Sequence, residues 1–234
     1  MKKILASLFL LFLSVSVLKA QVNDPNATVR PVTAFHAIVV SSSFNVYLSH
    51  GEKEALAVSA DETKFIERIR TEVKDGVLRI WYDNQGKWNT GNKKLKVYIS
   101  YTQLDRIESS GACDIYVDGT LKSESLTITQ SGASDMHGEL DVDRLKVNLS
   151  GASDMVVSGK VTRLEVDASG ASDFKGFDLV TESCDVQASG ASDIKITVTK
   201  ELSAQASGAS DIRYKGEAVI KSIKSSGASS VKRS

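Results

Sequence analysis

A five-residue word, SGASD, recurs along the second half of this chain at a spacing that leaves few folds open. Its first serine falls at Ser110, Ser131, Ser150, Ser169, Ser189, Ser207 and Ser226, with separations of 21, 19, 19, 20, 18 and 19 residues. The copies read SGACD, then SGASD five times, then SGASS. A fixed period near twenty residues marks a stacked-repeat architecture, in which one unit cannot close a core and neighbours close it together.

The flanking residues say which kind of unit repeats. Three residues before each motif serine stand Ile107, Ile128, Val147, Val166, Val186, Ala204 and Ile223. Five before it, the middle copies carry Leu126, Leu145, Leu164, Cys184 and Leu202. Directly after the motif come Ile115, Met136, Met155, Phe174, Ile194, Ile212 and Val231. Alternation on both sides of the word is the strand period, and no unit holds a ten-residue run at helical spacing. Each unit therefore reads as a short strand, a small-residue corner and a second short strand. Stacked, the units make an all-β, parallel β-helix or solenoid with rungs of about 19 residues. The coil is expected to be right-handed, as parallel crossovers are. At roughly 4.8 Å per rung, seven motif-bearing rungs span on the order of 30 Å.

Within the corner, Gly111, Gly132, Gly151, Gly170, Gly190, Gly208 and Gly227 are expected to make the turn. Asp114, Asp135, Asp154, Asp173, Asp193 and Asp211 form a ladder whose neighbours repel by about 1 kcal/mol even in water. Such a ladder calls for a compensating partner: backbone N–H groups, serine hydroxyls or a cation. Calcium takes six to eight oxygens, and one carboxylate per rung is a poor supply, so corner capping is the expected role and no metal or other cofactor is assigned.

Before Ser110 the chain stays strand-rich without the full word. Ser41 to Asn45, SSSFN, stands where SGASD would stand in a degenerate unit. Asp75-Gly76 opens a strand with a turn signal, and Glu62 to Ile69 reads as one short helix. Residues 21–34 form a lead, 35–109 irregular rungs that include a cap, and 110–234 the repeat rungs of one solenoid domain. Ten of the aromatic residues after residue 20 precede Leu121, and three follow it. Trp81, Tyr82 and Trp88 are the candidate ligand-binding residues, a stacking platform for sugars or peptides; Trp88 lies in the polar loop Asp83 to Lys94.

The N-terminus predicts export. Lys2 and Lys3 precede an apolar run from Ile4 to Leu18, and Ala20-Gln21 offers a small-residue cleavage point. The run is short for a bilayer span, and no second one follows, so no span is expected in the mature chain. Loss of residues 1–20 lowers the basic count from 29 to 26 against 29 acidic residues, a net charge near −3. That weak acidity gives no reason to expect nucleic acid as a partner. Two cysteines, Cys113 and Cys184, cannot form a disulfide framework, and four rungs separate them, too far for one bond. Cys184 sits in a leucine column and reads as a buried thiol.

The SGASD array, preceded by FNVYLSHGEKEALAVSADE, TEVKDGVLRIWY and KLKVYIS, resembles the auto-transporter adhesin, head GIN domain family, from about Phe35 to Val231. The resemblance implies exported proteins, many from Bacteroidetes-type bacteria, a pectin-lyase-like β-helix and cell adhesion, with no catalytic site to carry over. Cys113 and Ser230 depart from the array's own pattern, both in its terminal copies, where a stacking neighbour is expected to be lost.

The functional expectation is an exported, non-catalytic β-solenoid that binds an extracellular or cell-surface ligand, glycan or protein, from the periplasm, the cell surface or the medium. His36, His50 and His137 are scattered and the carboxylates are stacked rather than gathered, so no catalytic residue is assigned. The alternatives are a polysaccharide-active enzyme on a β-helix and a structural or calcium-binding repeat module.

Overall fold

Stacked corners dominate the architecture. The computed structural model describes residues 24–85 and 93–234. The expected leader at residues 1–20 and Trp88 lie outside the described residues. The N-terminal elements are β1 (Thr28–Arg30), β2 (Ala37–Ser42), β3 (Asn45–His50), β4 (Ala55–Ser59), helix α1 (Thr63–Ile66), β5 (Ile69–Lys74), β6 (Val77–Tyr82), β7 (Lys96–Tyr101) and β8 (Arg106–Gly111). Five long strands follow: β9 (Asp114–Gln130), β10 (Asp135–Leu149), β11 (Asp154–Ala168), β12 (Asp173–Ala188) and β13 (Asp193–Ala206). The last are β14 (Asp211–Lys215), β15 (Val219–Ser225) and β16 (Ser230–Arg233). The fold is a parallel β-solenoid of about 7 turns.

Each long strand pairs in parallel with the next, motif against motif: Asp135 with Asp154, Asp154 with Asp173, Asp173 with Asp193. The two short strands expected for each unit are fused into one strand of 14 to 17 residues that bends without breaking. The SGAS corners separate the successive long strands, and within the strands the register slips at bulges, as between Gly176 and Val180 of β12 against β13.

Gly132 shows why the corner has its composition. It takes φ of 83°, and a Cβ there would lie 2.4 Å from the Gly111 carbonyl oxygen of the neighbouring rung. That same oxygen accepts from the Ala133 N–H at 2.7 Å. A side chain would therefore strain the turn and collide with the hydrogen bond that joins the rungs. The fourth motif residue, Ser134, is buried, and its Oγ donates to the Ser131 carbonyl at 3.1 Å. Ser153, Ser172 and Ser192 repeat the bond to Ser150, Ser169 and Ser189.

The apolar columns fill the interior. Ile107, Ile128, Val147, Val166, Val186 and Ala204 stack in register on one wall, and Ile115, Met136, Met155, Phe174, Ile194 and Ile212 on the other, all buried. Cys184 replaces leucine between Leu164 and Leu202; burial pushes its thiol up to about 12. Both cysteines are free and buried.

The N-terminal strands join the same 16-stranded sheet, but not in chain order. β2 and β3 flank the SSSFN corner and lie in register on β8 and β9, with Ser42 on Gly111 and Asn45 on Asp114. Ser42 takes the glycine conformation, φ 96°. β6 and β7, later in sequence, pair with the opposite edges of β2 and β3 and so form the outer rung. β5 and β6 make an antiparallel hairpin through Asp75 and Gly76, whose φ values of 52° and 73° fit a type I′ turn. Antiparallel β4 and β1 extend the sheet beyond β7.

This order corrects one expectation. The Cys113 corner is not terminal, since the SSSFN corner covers it. Cys113 approaches the Ser110 and Ser42 carbonyls at 3.4 and 3.6 Å, and its column neighbour on the outer side is the buried Phe44. The substitution thus accompanies a change in core volume, not a lost neighbour. Ser230 does stand in the last rung, where its Oγ donates to Asp211 Oδ1 at 2.6 Å.

Candidate functional site

Parallel register turns a residue type repeated at one position into a row on the surface. Two residues after the motif aspartate, the side chain points outward again. Tyr47, Tyr98, Tyr116 and His137 occupy this position in the sequences Asn-Val-Tyr, Lys-Val-Tyr, Asp-Ile-Tyr and Asp-Met-His. Strand pairing places them in the order Tyr98, Tyr47, Tyr116, His137 across β7, β3, β9 and β10.

The four rings form one stack. Centroid separations are 5.1 Å for Tyr98–Tyr47, 5.4 Å for Tyr47–Tyr116 and 5.7 Å for Tyr116–His137, with interplanar angles of 15°, 19° and 9°. Rings held face to face along the rod present their edges outward, so phenolic hydroxyls and an imidazole form a row at about the rung spacing. Tyr98 is tied down by its hydroxyl, which donates to Asp24 Oδ2 at 2.8 Å; Lys96 Nζ meets the same carboxylate at 3.2 Å. Burial, followed by Asp24, raises the Tyr98 pKa. Tyr116 is 36% exposed, and its phenol is also raised, first by burial and then by Asp114.

Beyond His137 the row changes chemistry: Val156, Lys175, Lys195, Arg213 and Lys232 continue it in register. Here the aspartate ladder finds part of its compensation. Lys175 Nζ lies 2.8 Å from Asp154 Oδ2 and 3.3 Å from Asp173 Oδ2, and Arg213 lies 3.7 Å from Asp211. Backbone contributes as well, with the Asp154 N–H donating to Asp135 Oδ1 at 3.3 Å. Beside the rings the cations are missing from the row. Asp114 is accordingly held above the usual carboxylate range, first by burial and then by Asp135, while His137 opposes the shift.

Trp81 and Tyr82 stand on another part of the surface, in β6, before the corner and away from this row. Trp81 is half-buried, opposite Arg70 on β5. Tyr82 is buried; Arg68 and Lys93 lie over its ring at 5.1 and 5.2 Å from the centroid, so its face is covered. The other histidines remain apart. His36 pairs with Asp105 at 2.9 Å, and His50 packs edge-on against Tyr101. His36 and Asp105 border a groove of about 420 Å³ that also includes Lys122, Ser123 and Glu124. The Ser123 hydroxyl donates to the Ser125 carbonyl. No group of three or more histidine, cysteine or acidic side chains able to hold a metal occurs among the described residues. No helix among them is long and apolar enough to cross a membrane.

A parallel solenoid carrying a continuous row of outward rings belongs to the class of rod-like repeat proteins that display side chains in columns. The chain is a member of the family "Putative auto-transporter adhesin, head GIN domain", which matches residues 34–218. Its fold is shared with a "putative adhesin" from Bacteroides fragilis, at TM-score 0.80 and 23% identity over 90% of this chain and 98% of that one. A "putative adhesin" from Parabacteroides merdae aligns at TM-score 0.69 and 20% identity, covering 89% and 95%. A "putative lipid binding protein" from Parabacteroides distasonis aligns at 0.68 and 20%, covering 90% and 98%. No curated protein matches the chain.

Proposed function

We propose that this protein is an exported, non-catalytic adhesin module that engages an extracellular glycan or protein through the Tyr98–Tyr47–Tyr116–His137 face. The observation that carries this reading is the ring stack itself. Its hydroxyls and imidazole recur along the rod at rung spacing, beside Asp114 and Asp135, which gives an elongated ligand repeated donors and acceptors in one line. Family membership and the adhesin names of the Bacteroides and Parabacteroides neighbours support adhesion. Trp81, half-buried on β6 and away from the ring face, is a separate second candidate contact.

The test is a glycan array with a parallel panel of extracellular-matrix proteins, probed with the wild-type chain and with Tyr116→Ala and Trp81→Ala. A ligand bound by the wild type and lost with Tyr116→Ala, in a variant with unchanged circular dichroism, supports the proposal. Binding that ignores Tyr116, Tyr47 and His137 alike overturns it.

The enzyme reading rests on the groove beside His36, where Asp105 and Glu124 both line the wall. Two carboxylates flanking a groove are what glycoside cleavage requires. Release of reducing ends or unsaturated products from a polysaccharide panel, abolished by Glu124→Gln, would establish catalysis in place of simple adhesion.

A further inference from the structure

Between β10 and β11, in the middle of the rod, three pairs of outward charged residues stand in register: Asp141 with Lys160, Arg144 with Arg163 and Lys146 with Glu165. The first and last pairs unite opposite charges, Lys160 lying 3.4 Å from Asp141 and Lys146 meeting Glu165. The middle pair sets two guanidinium groups on neighbouring rungs, at a spacing of about 4.8 Å. Like charges directly opposite are destabilising. Both arginines are exposed, and neither enters an ion pair or a side-chain hydrogen bond among the described residues. The acids around them are already taken: Asp141 by Lys160, Glu165 by Lys146 and Glu182 by Lys200. Asp143 stands on the bend before Arg144, outside the paired register, and reaches neither guanidinium.

The neighbours of this pair are hydroxyls. Ser125 precedes Arg144 in register and Ser183 follows Arg163, so the column reads Ser125, Arg144, Arg163, Ser183 along the rod. Ser125 also lines the groove beside His36, together with Gln103 and Ser123. The arginines thus continue a polar groove of about 420 Å³, within the size range of small-ligand pockets. Three classes of partner fit poorly here. The main chains of β10 and β11 are paired along both edges, which leaves none free for a peptide strand. Glu165 and Asp167 follow Arg163 on the same strand face, with Asp185 opposite Glu165, so a plane of anionic headgroups or a nucleic-acid backbone would meet carboxylates as well. What fits is one oxyanion on an otherwise neutral, hydroxyl-rich chain.

We infer that Arg144 and Arg163 form a binding site for a single sulfate or carboxylate group of an acidic glycan lying along the rod. Both guanidinium groups turn their donors to the oxyanion, a geometry that arginine forks suit. The Ser125 and Ser183 hydroxyls take sugar hydroxyls on either side, and the adjoining sugar enters the groove. The bend at Asp143 separates this site from His137 and the ring row on the same strand, so it stands without the ring face.

The test is calorimetric titration of the full chain at low salt with tetragalacturonate, O-sulfated maltotetraose and plain maltotetraose. At least one charged sugar should bind saturably and more weakly as salt is raised, while the neutral one should not bind. The two charged sugars tell carboxylate from sulfate. Arg144→Gln and Arg163→Gln should each weaken binding by about fivefold or more. Arg144→Lys keeps the charge but loses the fork, and should recover only part of the loss. Lys74→Gln, which removes an exposed charge on the β5–β6 hairpin, should leave binding unchanged, as should Tyr116→Ala. Without sugar, Arg163→Gln should unfold at the wild-type urea midpoint or above it, because a like-charge contact is lost. Failure of both charged sugars to saturate, wild-type affinity in both glutamine variants, or an equal loss with Lys74→Gln overturns the inference. So does binding that Tyr116→Ala abolishes, or a lowered midpoint for Arg163→Gln, which would make the pair a structural contact. Tighter arginine-dependent retention on phosphatidylserine vesicles or duplex DNA than on either sugar also overturns it.

Discussion

The Gly151 Cα lies so close to Gly132 that a Cβ on the first would sit 2.4 Å from the carbonyl oxygen of the second, and that oxygen already accepts the Ala152 N–H at 2.7 Å. Gly151→Ala must therefore both strain a φ of 80° and push two rungs apart. A loss of about 3 kcal/mol or more in unfolding free energy is expected, since the left-handed conformation alone costs about 1–2 kcal/mol. Urea denaturation measures it; a midpoint within error of wild type would contradict the stacked corner.

Tyr47 is stacked on both sides, against Tyr98 and Tyr116. Tyr47→Ala should cost about 1–3 kcal/mol, two ring pairs of about 0.5–1.5 kcal/mol each, and more than Tyr116→Phe, which keeps the stack. A double-mutant cycle between Tyr47 and Tyr116 should return a coupling near one such pair. A zero coupling would mean that the rings are neighbours without attraction.

Asp114 and Asp211 should titrate in opposite senses. Burial and the neighbouring Asp135 raise Asp114, so its ionised form weakens the fold, and protonation as pH falls through its raised pKa relieves that cost. Asp211 is lowered, first by the Ser230 hydroxyl, so its contribution is present above the unfolded-state value and is lost as pH falls through its lower folded value. Carboxylate NMR titration should place the Asp114 midpoint above that of Asp211. Asp114→Asn should leave stability at neutral pH unchanged or raised by a few tenths of a kcal/mol.

Cys184 has a thiol raised to about 12 by burial, and Cys113 is raised for the same leading reason. Neither should react with a thiol reagent in the native state, and both should react in denaturant. Mass spectrometry should find no bond between them. Rapid labelling of Cys184 under native conditions would place its rung outside the leucine column.

Much of this architecture was legible because the repeat writes its own register. Once Ser131 and Ser150 are aligned, the columns of Ile128 with Val147 and Met136 with Met155 follow; the burial of the fourth serine, Ser134, does not, because a hydroxyl in a corner gives no sign of which side it faces. The ring stack was not legible in the same way. Tyr47 and Tyr98 lie outside the SGASD array, and the rung holding Tyr98 is later in sequence but farther out in space. Their signal was a shared position: an aromatic two residues after the corner, in four units of which only two carry the aspartate. Tyr82 misled for a simpler reason. Alternation sets the inward and outward faces of a strand, but it does not show that Arg68 and Lys93, distant in sequence, cover the ring.

The order of the first rungs gives the rod a mechanical polarity. β2 and β3 are clamped between β6–β7 and β8–β9, so the earliest rung in the chain cannot peel away until a later one has left. At the opposite end, β15 and β16 are each held along one edge only. Rungs held along both edges open later than rungs held along one, so the β3 and β9 part of the ring face should be among the last surfaces to be lost under load.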